Sequence, residues 1–181
     1  MTLVAIQGIR GSYSDEAAEI MTGGHGIPVE CRNFRDVFDA LETSEAEIAV
    51  IPVENRITGP IEATSKLLGS SGSRVIREIK LKIQHVLAGM EYAQLPTIKC
   101  VRSHPEALKQ CRRFFDANDH IQSEKWDDTA SSIRSVITES RAEYAAICSR
   151  RAAGEYGATV LLEQVADEKD NWTKFYLITK K

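Results

Sequence analysis

Four short stretches rich in glycine and polar residues set the chemical repertoire of this chain: GIRGSYS (8–14), PVENRITGP (52–60), RSHPE (102–106) and DDTA (127–130). A helix N-terminus with free amides binds carboxylate or phosphate well, and each stretch stands where a helix could begin. Each also has a plain structural reading. Residues 8–14 could be a tight turn, Asn55 could sit in an Asx turn, and Ser103 and Asp127 or Asp128 could be N-caps. A fifth stretch, NWTKF (171–175), sets an amide, a hydroxyl and an ammonium within four positions. Alone, it reads as the polar entry to a last strand. The first cluster is neither a Walker loop nor a G-x-G-x-x-G fingerprint. Together the clusters offer many hydrogen-bond donors, few metal ligands and no nucleophile–base pair. That set suits a small anionic ligand better than covalent catalysis.

Apolar runs of strand length alternate with segments of helical period, the pattern of an α/β chain. Strands are expected at 4–8, 47–54, 97–102, 144–148, 159–165 and 173–179. Helices are expected at 15–22, with Ser12 or Ser14 as its cap, and at 35–43, 60–69, 104–116, 128–140 and 149–156. Pro60 would open the third of the helices before residue 70. Residues 75–89 alternate over a long distance, with Ile79, Leu81, Ile83, His85 and Leu87 on one face. After the short SSGS stretch (70–73), that segment reads as one long strand bridging two lobes. The polar clusters then fall at the C-terminal ends of strands or the N-termini of helices, the edge where open parallel sheets bind ligands.

The bulk composition narrows the possible classes. The 181 residues are 43% hydrophobic and 27% charged, with a net charge of −3. Those values fit an ordinary globular chain and leave no nucleic-acid footprint. The basic residues of 109–113 read as a solvated helix face. No apolar run approaches the ~20 residues that span a bilayer. The N-terminal MTLVAIQGIRG reads as a strand and a glycine turn, so a signal peptide is not expected in it. Cys31, Cys100, Cys111 and Cys148 lack C-x-x-C pairing, and His25, His85, His104 and His120 are scattered. A disulfide framework and a metal site are therefore not expected; the thiols suit a reducing cytoplasm.

Taken in order, the motifs resemble the catalytic domain of prephenate dehydratases and the related arogenate dehydratases. GIRGSYSDEAA (8–18), IPVENRITGPIEATSKLL (51–68), VRSHPEALKQC (101–111), DTA (128–130), AAICSRRAAGEYG (145–157) and NWTKF (171–175) each match that family's pattern in turn. The resemblance implies two α/β lobes akin to type 2 periplasmic binding proteins, with the ligand cleft between them. Lobe 1 would be about 1–76 plus part of the C-terminal segment, and lobe 2 about 79–160. It implies a cytoplasmic, homodimeric lyase that needs no cofactor, contacts neither nucleic acid nor membrane, and converts prephenate to phenylpyruvate in phenylalanine biosynthesis. Neither an ACT regulatory domain nor a chorismate mutase domain is expected here.

In that family the threonine of T-R-F is implicated in catalysis, which here is Thr173. A threonine is far too weak an acid to ionise fully, but its O–H can hydrogen-bond a departing oxygen as charge develops. Ser12, Ser14, Asn55, Ser103 and Asn171 are the candidate donors to the substrate carboxylates. Arg56 and Lys174 are the candidate cations, Phe175 completes the motif, and Glu54 is expected to orient a loop or a neighbouring donor. Arg56, Lys66 and Lys174 stand where the family shows serine, aspartate and arginine. Three other outcomes remain within reach: a relative that decarboxylates prephenate without aromatisation, one that uses arogenate, or a non-catalytic two-lobe module that binds an anion.

Overall fold

The computed structural model describes residues 1–180. In chain order the elements are β1 (Thr2–Gln7), α1 (Tyr13–Thr22), β2 (Gly26–Cys31), α2 (Phe34–Glu42), β3 (Ile48–Asn55), β4 (Gly59–Pro60), α3 (Glu62–Ser70) and β5 (Ser73–Lys82). They continue with β6 (Val86–Gly89), β7 (Cys100–Ser103), α4 (Pro105–Lys109), α5 (Arg112–Asp116), β8 (Gln122–Lys125), α6 (Thr129–Glu139), β9 (Tyr144–Cys148), α7 (Arg150–Glu155), β10 (Thr159–Leu162) and β11 (Trp172–Lys180). A single 3₁₀ turn covers Leu95–Thr97.

The chain divides into two compact units. The first holds Met1–Ile83 and the segment from Asn171 onward, and the second holds Gln84–Asp170. In the first unit the strand order is β2-β1-β3-β11-β5, with β4 paired on β3. β1 runs parallel to β2 and β3, and β11 runs antiparallel to both β3 and β5. Val4, Ala5 and Ile6 of β1 have no exposed surface, so both faces of this sheet are covered. On one face α1 packs Ala17, Ala18 and Met21 against Val4, Ile6, Leu81, Phe175 and Leu177. On the other, α2 and α3 bring Val37, Phe38, Leu41 and Leu67 onto Ala5, Ile51 and Ile178. The C-terminal strand thus completes a core that the N-terminal strands begin.

The second unit has the order β10-β6-β9-β7-β8. β7 runs parallel to β8 and β9, while β6 is antiparallel to β9 and β10 antiparallel to β6. Leu87, Ile98, Val101, Cys111, Phe114 and Ile147 centre its core.

Several expected elements differ in the structure. The long alternating run 75–89 is two strands, β5 and β6, in different sheets. The ladder ends where the Ile83 N–H donates to Asn171 O at 3.0 Å. Pro60 does not open a helix. It pairs opposite Glu54, the Ile61 N–H bonds Val53 O, and α3 begins only at Glu62. Residues 104–116 form two short helices because the Asp167 carboxylate accepts from the Arg112 and Arg113 N–H groups and starts a second turn.

All four cysteines are free thiols. Burial raises each of them, Cys31 and Cys100 to about 11 and Cys111 and Cys148 to about 12. Among the described residues no helix is long and apolar enough to cross a membrane, and no group of three His, Cys, Asp or Glu side chains could hold a metal ion.

Candidate active site

Three segments meet at one edge of the first sheet, and its topology dictates which. Parallel strands β1 and β3 both end there, at Gln7 and Asn55. Antiparallel β11 starts at that edge, with Thr173 directly opposite Asn55 and Leu81 on its other side. Directly opposed residues share a face, so Asn55, Thr173 and Leu81 lie on the α1 side of the sheet. The βα loop after β1 delivers the start of α1 to the same edge and face.

That loop is held by its own chemistry. Gly8 and Gly11 have φ of +97° and +81°, a region that favours glycine. Ser12 caps α1, its Oγ accepting from Asp15 N at 3.2 Å, while Asp15 Oδ2 accepts from Gly11 N at 2.9 Å. Asp15 is buried and serves this loop. The signal for it in the sequence is Ser12 followed three residues later by an acid, the spacing of a capping box. Ser14 is buried in the first turn of α1.

The centre of the constellation is Asn55. Its Nδ2 stands 2.9 Å from Thr173 Oγ1, 3.0 Å from Asn171 Oδ1 and 3.1 Å from Trp172 O. Its Oδ1 accepts from the Ile57 and Thr58 N–H groups at 2.9 and 3.1 Å, an Asx turn that fixes the amide. The expected turn is present, but Nδ2, expected to donate to a substrate carboxylate, is directed at protein acceptors instead. Asn171 is buried beneath this pair and Thr173 is only 7% exposed. Because Nδ2 donates to it, Thr173 Oγ1 acts as acceptor toward Asn55 and keeps its own proton for another partner.

The charged candidates lie elsewhere. Lys174 faces away from Thr173, on the opposite side of β11, and its Nζ is 3.3 Å from Glu54 Oε2. The hydrogen bond to Glu54 raises the Lys174 ammonium above its usual range. Arg56 is exposed in the turn, and its N–H donates to Trp172 O at 2.9 Å. Lys66 is a solvated partner of Glu62 on α3. Phe175 is 2% exposed and belongs to the α1-side core.

Ser103 belongs to the second unit, at the end of β7. Its hydroxyl is fully buried and donates to Ile147 O at 2.6 Å. The cap of α4 is His104 instead, whose Nδ1 accepts from Glu106 N at 3.2 Å. Beyond the ends of the neighbouring parallel strands β8 and β9, Asp128 caps α6 by accepting from Ala130 and Ser131 N–H, and Ser149 caps α7. Beside Ser103, Arg102 is buried between Trp126 and Tyr144. Burial opposes its charge, but the hydrogen bonds it donates to Glu139 and Glu124 more than offset that, so its guanidinium is held above its normal value.

Comparison with known proteins is consistent across most of the chain. A family model described as prephenate dehydratase matches residues 4–181. An arogenate dehydratase/prephenate dehydratase 1 of Arabidopsis thaliana is 34% identical over 177 residues, covering 98% of this chain and 45% of that protein. The chain thus spans about half the length of the curated relatives it matches. The solved prephenate dehydratase of Arthrobacter aurescens, in complex with L-Phe, superposes with a TM-score of 0.89 at 28% identity, covering 99% of this chain and 60% of that one. In fold alone, the VFT2 domain of Bordetella pertussis BvgS is also similar, with a TM-score of 0.50 at 11% identity over 98% of this chain and 79% of that one.

Proposed function

Since the chain belongs to the prephenate dehydratase family, we propose that it converts prephenate to phenylpyruvate, with Thr173 assisting the departing hydroxyl. The reaction takes up one proton and releases CO₂ and water. The pair of electrons from the breaking C–CO₂ bond enters the ring, and the ring hydroxyl leaves from the opposite position with its own pair. Negative charge grows on that oxygen until a proton reaches it. A hydrogen-bond donor held at that oxygen stabilises the transition state more than the ground state, and such differential binding accelerates the step.

The observation that carries this reading is the 2.9 Å contact from Asn55 Nδ2 to Thr173 Oγ1. It fixes the hydroxyl as an acceptor on one side, so its proton is available to the leaving oxygen. Fixing the donor beforehand removes the reorganisation that water would need at the moment of bond cleavage. Ser12, Ser14 and the first turn of α1 stand on the same face and edge, and they serve the carboxylates of the dianion.

The test is a turnover assay on prephenate and arogenate side by side, with products identified by mass. The expected result is phenylpyruvate from prephenate, lost by about 10²–10³ in kcat in Thr173→Ala at unchanged Tm. A retained ring hydroxyl in the product, or full activity of the Thr173 variant, would overturn the reading.

A further inference from the structure

Glu54 and Lys174 form the pair directly next to Asn55 and Thr173 in the β3–β11 ladder, but on the other face. From this arrangement we infer that they are positioning residues: their ion pair holds Thr173 opposite Asn55, and Lys174 does not itself bind substrate. The inference rests on the reaction proposed above.

The local geometry explains why such a pair is needed. Immediately beyond Lys174 the register shifts, so that Phe175 faces Pro52 and Val53 has no opposite number. An extra residue of this kind bends a strand and locally disrupts its ladder. Thr173 keeps its place opposite Leu81 of β5, so a one-residue slip of β3 at that point would turn Asn55 to the wrong face and away from Thr173. Between the bulge and the end of β3, only two opposed pairs fix the register, Asn55 with Thr173 and Glu54 with Lys174.

The far face is sorted by charge in a way that supports this role. On β5, Lys80 lies directly opposite Lys174. Like charges directly opposed in a sheet are destabilising. Lys80 is drawn over the Trp172 ring, 4.0 Å from its centroid, while Lys174 turns to Glu54 at 3.3 Å. Both lysines therefore clamp the residues that flank Thr173, one through Trp172 and one across to Glu54. The ammonium of Lys174 is committed on the side away from the Thr173 hydroxyl.

The experiment compares Glu54→Gln, Lys174→Met and the swap Glu54→Lys/Lys174→Glu, each checked for unchanged Tm. Each single variant is expected to lower kcat about tenfold while KM stays within about twofold, and the swap to recover at least about half of the loss. A Lys174→Met variant with KM raised about tenfold at unchanged kcat would identify Lys174 as a ligand contact and overturn the inference. So would single variants of full activity, or a swap no better than either single. A second measurement does not depend on turnover: exchange of the Asn55 side-chain amide protons, followed by NMR. Exchange is expected to quicken about fivefold in each single variant and to slow again in the swap. If the wild type turns over no prephenate, the proposed reaction fails, and the exchange rates still decide the positioning role.

Discussion

Asn55 Nδ2 donates to Thr173 Oγ1 across two neighbouring strands, from residues 118 positions apart in the chain. The direction of that bond decides where the threonine proton points. Replacing Asn55 by Asp keeps the shape and the turn-forming Oδ1 but turns the donor into an acceptor, which would draw the hydroxyl proton inward. Replacing it by Ala frees the hydroxyl without reversing it. The expected ranking is wild type, then Asn55→Ala with kcat down about tenfold, then Asn55→Asp down about 10²–10³-fold. Steady-state kinetics on prephenate with a parallel Tm measurement checks it. Equal losses in the two variants would mean that Asn55 acts only through its turn.

What could be read from the sequence follows the physics of burial. The central strands β3 and β9 are continuous apolar runs, so EIAVIPVE and YAAIC announce themselves. Strands β2 and β8 escaped notice because they are sheet edges. An edge tolerates Gly26 and Pro28 in one case and an all-polar QSEK in the other. The run 75–89 alternates through Ile79, Leu81, Ile83, His85 and Leu87 although β5 is largely exposed and β6 is buried along its whole length, and periodicity does not record where a chain changes sheet. At the site, Thr173 and Asn55 were legible only as pieces of ordered motifs. That they touch depends on β11 returning to pair with β3, a long-range event with no local signature. Lys174, by contrast, was legible as a charge, but its orientation away from Thr173 follows from strand alternation alone.

Ser103 is expected to act through the fold. A hydroxyl that donates to Ile147 O offers a ligand only lone pairs, and lone pairs repel a carboxylate. Ser103→Ala should therefore cost about 1 kcal/mol of stability in urea unfolding, with KM for prephenate essentially unmoved. A large rise in KM at unchanged stability would place the hydroxyl on the substrate instead.

His85 gives the second unit a defined acid response. It is buried, with Nε2 3.2 Å from Gln110 Oε1. Burial lowers it from 6.5 to about 4, against a smaller opposing contribution from Gln110. A depressed histidine is neutral in the native state, so between those two values the unfolded chain binds a proton that the native chain refuses. Stability is therefore full above pH 6.5, falls as pH drops toward 4, and is flat in this contribution below that. The loss has an upper bound of about 3 kcal/mol. Denaturant titrations at several pH values should show a slope approaching one proton in this window, and a His85→Asn variant should lose that slope.

Arg102 is expected to be the most sensitive single position in the second unit, for reasons of shape as much as charge. Its Nε lies 2.7 Å from Glu124 Oε2, and its Nη1 lies 2.5 Å from Glu139 Oε1 and 3.1 Å from Ser135 Oγ. The guanidinium plane also sits 4.6 Å from the Trp126 ring and 4.5 Å from the Tyr144 ring. One side chain on β7 thus ties the edge strand β8 and helix α6 together, next to Ser103. Lysine carries the same charge but has one nitrogen, so it cannot hold both carboxylates while stacking between two rings. Glu124 and Glu139 are each more than a third exposed and can rehydrate, which limits the penalty for losing a partner. Arg102→Lys should therefore destabilise by about 2 kcal/mol, and Arg102→Met by about 3 kcal/mol. Chemical denaturation followed by tryptophan fluorescence reads both, since Trp126 reports the loosening directly. A lysine variant as stable as the wild type would mean that charge alone, not the planar fork, holds β7, β8 and α6 in place.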